Sequence, residues 1–120
     1  MKILIIEDEG FILESIAQIL SKEGYMIYTA DDYHTAVRII KSENLDMIIS
    51  DIMLPYTGGF DIVDFVRNDP EKKDTSIILI SGMDRTILNT TKIKVEACIT
   101  KPFTSKELLR VVKQHLLVKA

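Results

Sequence analysis

Three stretches of this chain are aliphatic without interruption: Ile3–Ile6, Met47–Ile49 and Ile77–Ile80. A strand with one face in water alternates apolar and polar residues, whereas an unbroken aliphatic run needs apolar cover on both faces. Such strands call for helices above and below them, and the segments between them carry a helical period. Ile12, Ile16, Ile19 and Leu20 recur at i, i+4, i+7 and i+8 across Gly10–Glu23, and Gly24 is placed to stop that helix. A second strand spans Tyr25–Thr29, and Asp31 or Asp32 caps a helix running to about Ser42 with Ala36, Val37, Ile39 and Ile40 inward.

The same alternation runs to the end of the chain. Gly58-Gly59 opens a third helix with Ile62, Val63 and Val66 as its buried side, and Asn68-Asp69-Pro70 ends it. Arg85 to Lys92 reads as a weak fourth helix, rich in Thr and Asn. Val95–Ile99 is a fifth strand, and Thr104 or Ser105 caps a last helix to about Leu117 with Leu108, Leu109, Val112 and Leu116 inward. Strands alternating with helices through short right-handed crossovers make an α/β, doubly wound parallel sheet. At 120 residues we expect one domain over 1–120.

Composition narrows the function classes. A content of 47% hydrophobic and 28% charged residues is globular. A formal charge of −3 argues against a partner bound through nucleic-acid phosphates. One cysteine, Cys98, excludes an internal disulfide and fits a reducing cytosol. No apolar run approaches a membrane span, and the N-terminal aliphatic run is too short for a signal peptide. A cytoplasmic domain without a membrane partner is the expectation.

Strands one, three, four and five end on polar groups: Glu7 and Asp8, Asp51, Ser81 and Lys101. In an open parallel sheet the ligand crevice lies at the carboxyl ends of the strands. If strands one and three are neighbours, Asp8 and Asp51 lie within several ångströms of each other. Two carboxylates about 4 Å apart repel by roughly 4 kcal/mol at an effective dielectric near 20. One lysine cannot neutralise three acids, so the set asks for a hard divalent cation with oxygen ligands, and Mg2+ fits. A carboxylate can attack phosphorus to give an acyl phosphate. Mg2+, Lys101 and the Ser81 hydroxyl could then take the phosphoryl oxygens, with Gly82 leaving room for the group to enter.

Glu7-Asp8, Asp51-Ile52-Met53-Leu54-Pro55, Gly59, Ser81 and Lys101-Pro102-Phe103, in that order, resemble the receiver domain of two-component response regulators. The resemblance covers essentially the whole chain. It implies a flavodoxin-like (βα)5 fold with sheet order 2-1-3-4-5. It implies that Asp51 takes a phosphoryl group from a phosphohistidine on a sensor histidine kinase or a histidine phosphotransfer protein. Asp8, Asp51 and the Met53 backbone carbonyl would ligate Mg2+, with Glu7 reaching it through water. Lys101 would pair with the phosphoryl, the Lys101–Pro102 bond would be cis, and Ser81 would swing as the switch. The domain would be no enzyme beyond its own phosphorylation and dephosphorylation. Output would pass to a downstream protein effector or to an output domain absent from this chain, and a weak dimer is among the implied partners.

The resemblance departs at Cys98, where the family carries an aromatic that changes rotamer with Ser81. Lys94-Val95 stands where Gly-Ala is common, and Gly58 replaces a frequent Asp. Cys98 is expected in the core, where a small thiol cannot report a swing as a ring can. A receiver-like interaction module that works unphosphorylated is therefore the alternative function. Met53 and Met83, two positions past Asp51 and Ser81, are apolar, which predicts slow self-dephosphorylation. Phe11, Ser15 and Gln18 lie off the buried stripe of the first helix, and with Pro102 and Phe103 they make the expected docking face. His34 and His115 lack ligand spacing and are expected at the surface.

Overall fold

The computed structural model describes residues 1–52, 59–82 and 95–117. Its strands are β1 (Lys2–Ile6), β2 (Met26–Ala30), β3 (Met47–Asp51), β4 (Ser76–Ser81) and β5 (Ala97–Thr100). Between and after them lie α1 (Gly10–Ser21), α2 (Tyr33–Ser42), α3 (Gly59–Arg67) and α4 (Ser105–Leu117). The strands form one parallel sheet of order β2-β1-β3-β4-β5, the flavodoxin-like order. The helix expected over 85–92 lies outside the described residues, as do Met53, Gly58, Met83 and Lys94.

The period of two in the aliphatic strands sorts the core into two layers. Leu4, Ile6, Ile48, Ile77 and Leu79 pack with Ala36 and Ile40 of α2 and with Ile62, Val63 and Val66 of α3. Ile3, Ile5, Ile49, Ile78 and Ile80 pack on the other face with Ile16 and Leu20 of α1 and with Leu108, Val112 and Leu116 of α4. Burying each large aliphatic side chain contributes about 1.5–3 kcal/mol. The unbroken runs are thus explained by a sheet covered on both sides.

Element ends follow local chemistry. The Asp32 carboxylate accepts the Thr35 N–H at 2.7 Å and caps α2. Thr104 caps α4: its hydroxyl oxygen accepts the Glu107 N–H at 3.1 Å and its O–H donates to the Glu107 carboxylate at 3.3 Å. α1 ends at Ser21, two residues before the expected end. Gly24 then takes φ of +89° and its N–H donates to Ser21 O at 3.0 Å. Strand five starts at Ala97, two residues later than its sequence suggests, because a side chain replaces the ladder at Glu96.

A Cβ on Gly24 would meet no atom within 4 Å, so its cost is conformational alone. Gly24→Ala is expected to destabilise the fold by about 1 kcal/mol. Gly10→Ala, in open space at the start of α1, is expected to be neutral or slightly stabilising. Denaturant unfolding of the two variants checks the contrast; equal losses would contradict it.

Candidate functional site

Every strand-end group singled out above comes to one edge of the sheet. β1 and β3 are neighbours, with Ile6 beside Ser50, so the acids following β1 face the one ending β3. Ligand oxygens of Glu7, Asp8 and Asp51 lie within 4.8 Å of one another. Ser81 ends β4 beside Thr100, and its carbonyl accepts the Lys101 N–H at 2.8 Å. The Lys101–Pro102 peptide is cis.

The three acids have different surroundings. Glu7 is 1% exposed and Asp51 5%, whereas Asp8 is open to solvent. The Lys101 ammonium donates to Asp51 Oδ2 at 2.9 Å and to Glu7 Oε1 at 3.3 Å. Glu7 Oε1 also accepts the Glu9 N–H at a long 3.4 Å. Its second oxygen, Oε2, is buried with no hydrogen-bond partner among the described residues. Burial first, and then the adjoining Asp51 carboxylate, push the Glu7 carboxyl up to about 7, although Lys101 pulls the other way. Partial burial works against the Lys101 ammonium, but its hydrogen bond to Asp51 and the charges of Asp51 and Glu7 outweigh it. Lys101 titrates above its ordinary value.

This donor set fits Mg2+. The ligands are hard oxygens, one of them a buried carboxylate oxygen lacking a donor, and their charge exceeds what Lys101 neutralises. The Met53 carbonyl lies outside the described residues. Among the described residues, a Cβ on Gly82 would meet nothing within 4 Å.

One expectation changes. Cys98 is half-buried rather than core, because β5 is the sheet's edge and only Ile99 of its residues is fully covered. Glu7 is the most buried acid of the three and shares Lys101 with Asp51. No sequence pattern distinguishes Glu7 from Asp8 in this respect, since both follow a strand covered on both faces. The docking residues gather only in part. Phe11, Ser15, Pro102 and Phe103 line a groove of about 540 Å³ beside Lys101, and Gln18 lines an adjoining hollow with Lys22 and Glu23. Phe11 is 86% exposed.

Residues 3–113 match the family model of the response regulator receiver domain. The fold is similar to the chemotaxis response regulator CheY4 of Vibrio cholerae at 27% identity, covering 95% of this chain and 97% of that one, with a TM-score of 0.89. It is similar to the response regulator TrrA of Thermotoga maritima, solved in complex with Mg2+–BeF, at 31% identity over 95% and 97%, with a TM-score of 0.84. A signal receiver domain of a signal transduction histidine kinase from Syntrophus aciditrophicus matches at 27% identity over 96% and 89%, with a TM-score of 0.87. The chain belongs to the response regulator receiver domains, the signalling modules of two-component systems.

The raised Glu7 carboxyl sets a pH dependence. An unfolded glutamate releases its proton near 4.5, whereas folded Glu7 keeps it to about 7. Between those values the unfolded state binds fewer protons at this group, so the Glu7 contribution to the stability of the metal-free protein falls as pH rises from about 4.5 to 7. A cation must displace that proton, so Mg2+ affinity is expected to be roughly tenfold weaker at pH 6 than at pH 8. Glu7→Gln should flatten the dependence. Calorimetric Mg2+ titrations at the two pH values check this, and equal affinities would contradict it.

Proposed function

We propose that this domain is a phosphoacceptor switch, with Asp51 taking a phosphoryl group from a phosphohistidine on a sensor histidine kinase or histidine phosphotransfer protein. One observation carries the reading: Lys101 is shared between two buried carboxylates, Asp51 and Glu7, with Asp8 beside them. A purely structural ion pair would have no use for the surplus acids.

In this reading an Asp51 carboxylate oxygen attacks phosphorus while the P–N bond to the imidazole breaks, its electron pair leaving with the ring nitrogen. Lys101, already 2.9 Å from Asp51, exchanges part of that contact for a phosphoryl oxygen. Ser81 offers its hydroxyl from the end of β4. Asp8 and Asp51 would hold Mg2+, with Glu7 reaching it through water and the Met53 carbonyl as a further ligand, and the ion would neutralise charge on the carboxylates and the phosphoryl oxygens. TrrA, a protein of similar fold and 31% identity, was solved with Mg2+–BeF, which supports the same chemistry here. The new phosphate adds about −1.5 to −2 charge at the sheet edge. The response then passes to a protein effector, or to an output domain on a longer chain, in the cytoplasm.

Phe11 supports a docking role for the groove between α1 and the start of α4. A phenyl ring 86% exposed contributes little to the core and offers an apolar contact next to Lys101. Pro102 and Phe103 form the opposite wall, with Ser15 and Gln18 extending the face along α1.

Mass spectrometry after incubation with Mg2+ and a small phosphodonor is expected to find one adduct, on Asp51, absent from Asp51→Asn. Without an adduct in the wild type, a module that works unphosphorylated is the better reading. Phe11→Ala should leave stability within about 0.5 kcal/mol of wild type. It should leave phosphorylation by the small donor unchanged but slow transfer from a histidine kinase that phosphorylates the wild type. Equal rates from that kinase would remove Phe11 from the docking face.

A further inference from the structure

β5 is four residues long and pairs with β4 alone. Only Ile99 of its four residues is fully buried, so side-chain burial pins its register weakly. Yet Lys101, the residue following β5, meets Asp51 two strands away at 2.9 Å. A slip of one residue would turn the side chains of β5 to the opposite faces, and a slip of two would carry Lys101 about 6.6 Å along the sheet.

Something must hold the strand, and it lies at the end remote from the site. Glu96 engages both backbone groups of Ile77 in β4: its N–H donates to Ile77 O at 2.9 Å, and its carboxylate accepts the Ile77 N–H. The Arg67 guanidinium, from the last turn of α3, donates to both Glu96 oxygens at 2.9 and 3.2 Å. Its other arm donates to the carbonyls of Lys73 and Thr75, each at 2.7 Å, in the connection between α3 and β4. As a plain surface ion pair this would add little stability. As a register device it is specific. Neither Val95 nor Ala97 carries a carboxylate, so a one-residue slip strips Ile77 N–H of its acceptor and the guanidinium of its anion.

We propose that Arg67 and Glu96 are positioning residues for Lys101: their pair sets the register of β5 and so holds the ammonium over Asp51. The consequence for phosphorylation rests on the phosphoacceptor reading, whereas the placement of Lys101 does not.

The test separates the two. Lysines of the metal-free protein are labelled by reductive methylation well below the unfolding temperature and mapped by mass spectrometry. Half-buried and ion-paired, Lys101 reacts slowly in the wild type. In Glu96→Ala and in Arg67→Ala its rate is expected to rise about fivefold, with Lys106 and Lys113 unchanged. Phosphorylation by a small phosphodonor should fall roughly tenfold or more. The double variant should repeat the single effect rather than compound it. Glu96→Gln, which keeps an acceptor for the Ile77 N–H, should recover part of the loss; with Arg67→Lys it carries the comparison if an alanine variant does not fold. Unchanged Lys101 labelling, or an equal rise at Lys106 and Lys113, overturns the proposal. If Lys101 labelling rises while the wild type forms no Asp51 adduct, the positioning stands and the phosphoacceptor reading falls.

Discussion

The repulsion among Glu7, Asp8 and Asp51 is the constraint around which this sheet edge is arranged. At separations under 4.8 Å, each pair of charges costs on the order of 4 kcal/mol at an effective dielectric near 20. Burial of Glu7 and Asp51 adds a desolvation cost to each. The strand order decides what can offset this. β3 sits at the centre of the sheet with β1 on one side, which brings the acids together. The cation comes from β5, two strand spacings or roughly 9.6 Å away. A short side chain could not cross β4 to reach Asp51, whereas the four-carbon stem of lysine does.

Lys101 offsets only part of the charge. The excess shows in Glu7, whose carboxyl is pushed up to about 7 and whose Oε2 finds no donor among the described residues. A proton and a cation are therefore alternative ways of relieving the same strain. Near neutral pH the site is balanced between them. Asp8 is exposed, and among the described residues no atom lies within 4 Å of where a Cβ on Gly82 would stand.

Much of this was legible because it depends on patterns that survive without coordinates. The unbroken runs Ile3–Ile6 and Ile77–Ile80 demand cover on both faces, and both layers are present. A polar residue closing an apolar strand is costly without a partner, which marks Asp51, Ser81 and Lys101 from residue type alone. What could not be read were relations between elements distant in sequence. Glu7 and Asp8 are adjacent acids just past a strand covered on both faces, and nothing local marks one as buried and the other as open. Cys98 has the composition of a core residue, but an edge strand covers it only in part. Arg67 and Glu96 stand 29 positions apart with no local motif linking them. The late start of β5 follows from the same omission, since the Glu96 carboxylate takes a ladder position that a backbone carbonyl would otherwise fill.

These relations place the weakest element of the sheet under the most consequential side chain. Asp51 is embedded in a central strand with neighbours on both sides, so its position is over-determined by packing. Lys101 follows a short edge strand whose ladder is one-sided, and its reach leaves little tolerance for a shift along the sheet. In the proposed phosphoacceptor role, a fixed Asp51 and an adjustable counter-charge would need a fastening away from the reacting atoms, so that the site could change its charge without losing its geometry. The Arg67–Glu96 pair has that location. It ties β5 to α3 and to the start of β4 at the opposite edge of the sheet, where a change of charge around Asp51 is many ångströms distant and weakly felt.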